Sequence, residues 1–215
     1  MLAINKTREI LIVLVLFLIP ASLTAGNSGG PAQSQEHEIK AAFLYNFMKF
    51  IEWPTDKMGD ANEPVVVGLI GSKDFMKVME PIVQKKIHNR NITLKYFADY
   101  EKLKKPQEAD EEQWKQKMEA LKSCHLLMFC SYDSVRVEAA GEIIKALRDS
   151  PVLTVGEEDD FLESGGMINF LMEDRKVRFE ISAVAAKKGK LKISSQLLRL
   201  AKKVIEEDGA KGAKG

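Results

Sequence analysis

MINFLMEDRKVRFEIS (Met167–Ser182) alternates in polarity on both sides of Asp174-Arg175. A period of two marks a strand with one buried face. A two-residue loop at Asp174-Arg175 sets Glu173 opposite Lys176, Met172 opposite Val177, Phe170 opposite Phe179 and Ile168 opposite Ile181. Every large apolar pair then falls on one face, while Asn169–Glu180 and Leu171–Arg178 fall on the other. A slip of one residue would send the apolar set to the wrong side, so this agreement sets the register. Such loops want positive φ, and Arg175 in place of glycine costs about 1 kcal/mol there.

Upstream of the hairpin the pattern is different. VVVGLIG (65–71) is β-branched and apolar throughout, as in a strand covered on both faces. Lys73–Lys86 has helical spacing, Asn91–Ala98 reads as a strand, and charged Tyr100–Glu112 as a solvated connection. Trp114, Met118 and Leu121 mark a short helix, His125–Ser131 a strand, Ser134–Arg148 a helix and Pro151–Gly156 a strand. This alternation predicts an α/β, three-layer domain: a mixed sheet with parallel core strands and a C-terminal antiparallel hairpin. After the hairpin, Leu191–Ile193 leads to Ser194-Ser195, N-caps for a last helix carrying Leu197, Leu200, Ala201 and Val204.

The N-terminus reads as a targeting segment. Lys6 and Arg8 precede the apolar run Ile10–Ile19, then Pro20 and small residues. That is a secretory signal peptide over 1–26, with an apolar run too short to span a bilayer. Asn27–Gln35 is Gly/Ser/Pro/Gln-rich and reads as a flexible leader. Residues 36–206 form one domain and 207–215 a disordered tail. Setting aside Lys6, Arg8 and Glu9 takes the 32 basic and 31 acidic residues to 30 each, without the positive surplus of a nucleic-acid binder. No direct membrane insertion is expected after cleavage.

A helix opens the domain near Glu36. Ile39, Phe43, Phe47, Phe50 and Ile51 form one apolar stripe, and Ala41, Leu44, Tyr45 and Met48 another. Either both faces are buried in the domain, or one packs on a partner.

Enzyme signatures such as G-x-S-x-G, a Walker loop, G-x-G-x-x-G and H-E-x-x-H are absent, so no catalytic residue is assigned. His37, His88 and His125 lie far apart and supply no metal set. No cofactor is expected. Cys124 and Cys130 flank an extended HLLMF, about 20 Å end to end, where a disulfide needs Cα atoms within about 7 Å. They read as two buried free thiols on one face; an intermolecular bond, or one closed by a bend near Cys124, is the alternative. The lysines at 187, 188, 190 and 192 read as a solvated edge. Glu157–Asp160 reads as the first turn of a helix, where it would favour the dipole. In open α/β sheets, ligands sit beyond the carboxyl ends of parallel strands. Gly71-Ser72, Ser131-Tyr132-Asp133 and Gly156-Glu157 would share that rim, a crevice for a small ligand.

KAAFLYNFMKFIEWP (40–54), VGEEDDFLESGGMINFLMEDRKVRFEIS (155–182) and LKISSQLLRLA (191–201) together closely resemble the YfiR family of exported bacterial proteins. The resemblance implies a periplasmic α/β regulator without catalytic activity. It further implies a homodimer that represses an inner-membrane sensor, such as a diguanylate cyclase, and so limits cyclic-di-GMP output and biofilm formation. Redox-responsive relatives carry further cysteines. This chain has only Cys124 and Cys130, so the disulfide switch is not carried over. The charged stretch 101–120 is also long for the family. Candidate contacts for a partner or ligand are Asn46, Lys49 and Trp53 on the first helix, Asn169 and Arg178 on the hairpin's polar face, and Ser131 and Asp133 on the rim. The alternative function is a periplasmic small-ligand sensor.

Overall fold

The computed structural model describes residues 31–98, 111–130 and 139–206. The signal segment, residues 27–30 of the leader, the 207–215 tail, Ser131, Asp133 and most of the 100–112 connection lie outside them. In chain order the elements are α1 (Pro31–Phe50), β1 (Ile51–Glu52), α2 (Thr55–Met58), β2 (Val65–Gly71), α3 (Asp74–Val83), β3 (Lys86–Ile87), β4 (Arg90–Phe97), α4 (Glu111–Lys122) and β5 (Leu126–Cys130). They continue with α5 (Ala140–Leu147), β6 (Leu153–Gly156), β7 (Ile168–Glu173), β8 (Lys176–Ser182), α6 (Ala183–Lys188), β9 (Lys192–Ile193), α7 (Ser195–Leu198) and β10 (Lys203–Ile205).

Eight strands form a mixed sheet in the order β10-β8-β7-β6-β5-β2-β4-β3. Pairing is antiparallel at β7–β8 and β3–β4, and parallel across the rest. β1 and β9 make a separate antiparallel ribbon. Residues alternate between two apolar layers along the core strands. Leu126, Met128 and Cys130 of β5 join α1, α3, α6 and α7 on one face. Leu127 and Phe129 join α4 and α5 on the other. Being apolar on both faces, β2, β5 and β6 suit the interior of a parallel sheet.

The hairpin has the register that the polarity pattern predicts, from Ile168↔Ile181 through Glu173↔Lys176. Asp174 and Arg175 take φ of 49° and 59°, the geometry such a turn demands. Phe170, Val177, Phe179 and Ile181 are buried, while Met172, nearest the turn, is half exposed.

Four expectations are corrected. Among the described residues helix α1 spans Pro31–Phe50, so residues 31–35, which the sequence reads as part of a flexible leader, are helical. The last helix is only Ser195–Leu198, capped by the Ser194 hydroxyl, and Val204 lies in β10 instead. Pairing with the otherwise open edge of β8 satisfies the backbone there, which outweighs the helical spacing of the side chains. Glu157–Asp160 forms turns, not a helix. Finally, Cys124 and Cys130 belong to opposite layers. The strand starts at Leu126, so Cys124, still on the turn leaving α4, does not share its parity.

Substituting Arg175→Gly relieves a left-handed arginine, and we expect a gain of about 0.5–1 kcal/mol in urea unfolding. An unchanged or lower midpoint would show that the turn carries no such strain.

Candidate functional site

The carboxyl ends of β2, β5 and β6 do meet on one side of the sheet, with Gly71 beside Cys130 and Met128 beside Val155. At the β6 end this rim is filled by the chain itself. Lys40 of α1 is only 5% exposed. Its ammonium donates to Glu157, just beyond β6, and bridges Glu36 one turn back at 2.6 Å. Burial works to lower the Lys40 pKa, but the two carboxylates outweigh it and raise it, so the cation is held. Removing one partner of such a pair strands a buried charge, at a cost of about 3–5 kcal/mol. Glu157 is delivered by a loop that packs Phe161 where side chains at Gly156 and Gly166 would stand: a Cβ on either would come within 2.2 Å of the ring. Beneath lies Cys130, its thiol pushed up by burial and then by the charge of Glu157.

The opposite rim is closed by His125, which precedes β5. Its N–H donates to Val66 O at 2.8 Å, its ring Nδ1 accepts from Val66 N–H at 3.0 Å, and its carbonyl accepts from Leu153 N–H at 2.9 Å. Trp53, just after β1, donates from Nε1 to the same carbonyl at 3.1 Å and sets its ring edgewise against the imidazole. One histidine thus joins β2, β6 and the segment leaving α1. Nδ1 accepts, so the ring is neutral with its proton on Nε2, which is buried without a hydrogen-bond partner. Burial first, and the Lys57 ammonium second, lower the His125 pKa to about 4; the Lys57 backbone pulls weakly the other way. Nearby Cys124 is pushed up to about 11 by burial, so its thiol is unreactive.

The candidate contacts do not converge. Asn46 and Lys49 are exposed on α1, with the Lys49 ammonium 5.7 Å from the Tyr45 ring. Trp53 is buried in the His125 node. Asn169 and Arg178 sit on the sheet face away from α1, whose Phe43 and Phe47 pack against Phe170 and Phe179 of the other face. Arg178 is exposed. Asn169 was expected on a solvent face but is 6% exposed, its Oδ1 without a partner. It lies at the hairpin base beside Gly156, over which the Phe161 loop folds. A groove of about 360 Å³ lies elsewhere, between α4 and α5, lined by Trp114, Met118, Lys122 and Ala146 among others. Lys40 and Glu157 were missed as a pair. The signal for Lys40 was its place between the apolar positions Ile39, Phe43, Leu44 and Phe47, where an unpaired cation would be costly. Among the described residues no three His, Cys, Asp or Glu side chains gather as a metal site would require, and both cysteines are free.

These features define a mixed-sheet α/β domain whose strand-end polar nodes hold its own helix α1 in place. The YfiR/HmsC-like family profile matches residues 37–202, and the chain belongs to that family, known for periplasmic regulators. Among solved structures it is similar to a conserved domain protein from Vibrio cholerae O1 biovar El Tor, at 10% identity and a TM-score of 0.52, over 78% of this chain and 60% of that one. That likeness shows the fold. No curated protein matches the chain.

The neutral imidazole has a consequence for stability. The unfolded chain takes up a proton at His125 near pH 6.5, the folded one only near pH 4. Its contribution is intact above pH 6.5 and declines as pH falls toward 4, by roughly 3 kcal/mol in all. Urea unfolding across that window should show the loss, and His125→Gln should flatten it. An equally steep pH dependence in the variant would assign the effect to other groups.

Proposed function

We propose that the chain is an exported, non-catalytic regulator that binds the periplasmic part of an inner-membrane signalling protein, such as a diguanylate cyclase, and represses it. The family match over residues 37–202 carries this reading. The signal-peptide pattern of residues 1–26 supports export, and the even charge balance suits a protein partner better than a nucleic acid. The small-ligand reading loses its site at the β6 end of the rim, where Lys40 and Glu157 occupy each other. Among the described residues no helix is long and apolar enough to cross a membrane. A homodimer is part of the proposal. The disulfide-based redox response is not, because Cys124 and Cys130 are buried in opposite layers.

Cross-linking in the native host followed by affinity purification should recover an inner-membrane protein with a periplasmic domain and a cytoplasmic signalling output. Deleting the gene should raise cyclic-di-GMP if that output is a cyclase. Recovery of the chain alone, with signalling output unchanged by deletion, would contradict the proposal.

A further inference from the structure

The hairpin outruns the strand beside it. β6 ends at Gly156, opposite Asn169, so Phe170–Glu173 of β7 have no partner in β6. At ~3.3 Å per residue, those residues carry the Asp174-Arg175 turn about 13 Å past the end of β6. The tip of the hairpin thus projects from this end of the sheet.

The apolar exposure of the chain is gathered there. Met172 and Leu200, at 50% and 67%, are the large hydrophobic residues found exposed in the described part of the chain. Met172, two residues before the turn, faces Val177 across the hairpin. Leu200 approaches from the other side of β8. Lys202, two residues on, donates its N–H to Phe179 O at 2.9 Å and its ammonium to Glu173, beside Met172, at 2.6 Å. The two side chains flank β8 from separate segments. None of the described aromatic side chains is exposed, so the anchor typical of a protein hot spot is missing.

Cations surround both. Arg175, Lys176 and Arg178 of the hairpin, Arg199 in the turn after α7, and Lys202 and Lys203 at the start of β10 are all exposed. Three carboxylates lie among them: Glu173, which holds Lys202, Asp174 in the turn, and Glu180, opposite Lys203. Six against three leaves a surplus of three, in a chain that as a whole carries only +1. Glu206 does not cancel it. Ile205 stands opposite Ser182, so Glu206 leaves β10 beyond the base of the hairpin, about 20 Å along the strand from Lys176.

Resting on the regulatory reading above, which sets the chain beside the inner membrane, we propose that this tip docks end-on onto an anionic phospholipid surface. Met172 and Leu200 enter the headgroup layer, while Arg175, Lys176 and Arg199 meet the lipid phosphates on their long, flexible stems. Fluid headgroups can adapt to two separate aliphatic side chains and to cations without a fixed array, where a rigid partner would have to match both.

The probe is a mixed vesicle of phosphatidylglycerol and phosphatidylcholine, sedimented with the full mature chain. The chain should bind it, and bind pure phosphatidylcholine at least ~10-fold less. Binding should also weaken at least ~10-fold between 0.1 M and 1 M salt, as the screening length falls from ~10 to ~3 Å. Lys176→Glu with Arg199→Glu should cost at least ~10-fold, since each Lys or Arg near such a surface is worth roughly 5-fold. The same change of charge beyond the hairpin base, Lys188→Glu with Lys190→Glu, should cost less than ~3-fold. Circular dichroism checks the folds. An environment-sensitive dye attached at Leu200→Cys, the native cysteines being buried, should shift to the blue on phosphatidylglycerol vesicles and not on phosphatidylcholine. No binding by the wild type, binding that the tip variant keeps, an equal loss in the Lys188/Lys190 variant, or a dye that stays in water overturns the proposal. So does a dimer that Leu200→Ala dissolves, or a glutamate-rich peptide bound at the tip that vesicles cannot compete. If vesicles fail to bind but cross-linking recovers a membrane protein, the tip assignment fails and the regulatory reading stands. If vesicles bind but no membrane protein is recovered, the reverse holds.

Discussion

Four phenylalanine rings set how α1 lies across the sheet. Phe43 and Phe47 come from the helix, Phe170 and Phe179 from facing positions of the hairpin, with centroids 5.0 to 6.0 Å apart in stacked, tilted and edge-on pairs. Contacts of that geometry contribute about 0.5–1.5 kcal/mol per pair beyond the area they bury. The stack requires the hairpin register to be right, because a slip by one would turn Phe170 or Phe179 to the opposite face and bring Asn169 or Leu171, or Arg178 or Glu180, in its place. It also requires α1 to present the same stripe for two turns. Helix and hairpin, far apart in sequence, specify each other.

With Phe43 and Phe47 seated, Lys40 at the middle of α1 and Trp53 just beyond its end tie this part of the chain to the two rims. Lys40 reaches Glu157 beyond the carboxyl end of β6, and Trp53 reaches His125 before the amino end of β5. The polar groups at both places are engaged with α1 and the segment leaving it. Functional surface is therefore to be sought on exposed edges and faces. The hairpin's inner face anchors α1, and its outer strand β8 pairs with β10.

Much of this was legible in the sequence. Strict alternation around Asp174-Arg175 yields the hairpin register without structural help, because one face had to collect every large apolar pair. The parallel core was readable because VVVGLIG and LLMFC are apolar on both sides. What escaped were features decided by distant partners. Leu197, Leu200, Ala201 and Val204 are spaced as a helix would space them, yet β8 offers an open edge that no local pattern reveals. Asn169 looks like a surface residue until the Phe161 loop folds over Gly156. Cys124 has the parity of Cys130 only if the strand begins before it. The Lys40–Glu157 pair joins residues 117 apart in sequence, a separation that no spacing rule bridges.

The central claim is that α1 belongs to the cooperative core and is pinned along its length, not docked as a separable arm. Native-state hydrogen exchange tests it most directly. The amides of Phe43–Met48 should open with the same free energy as those of β5, within about 1 kcal/mol, and only through global unfolding. If α1 exchanges through a separate, lower-energy opening while β5 remains protected, the helix is a mobile element and the account is wrong.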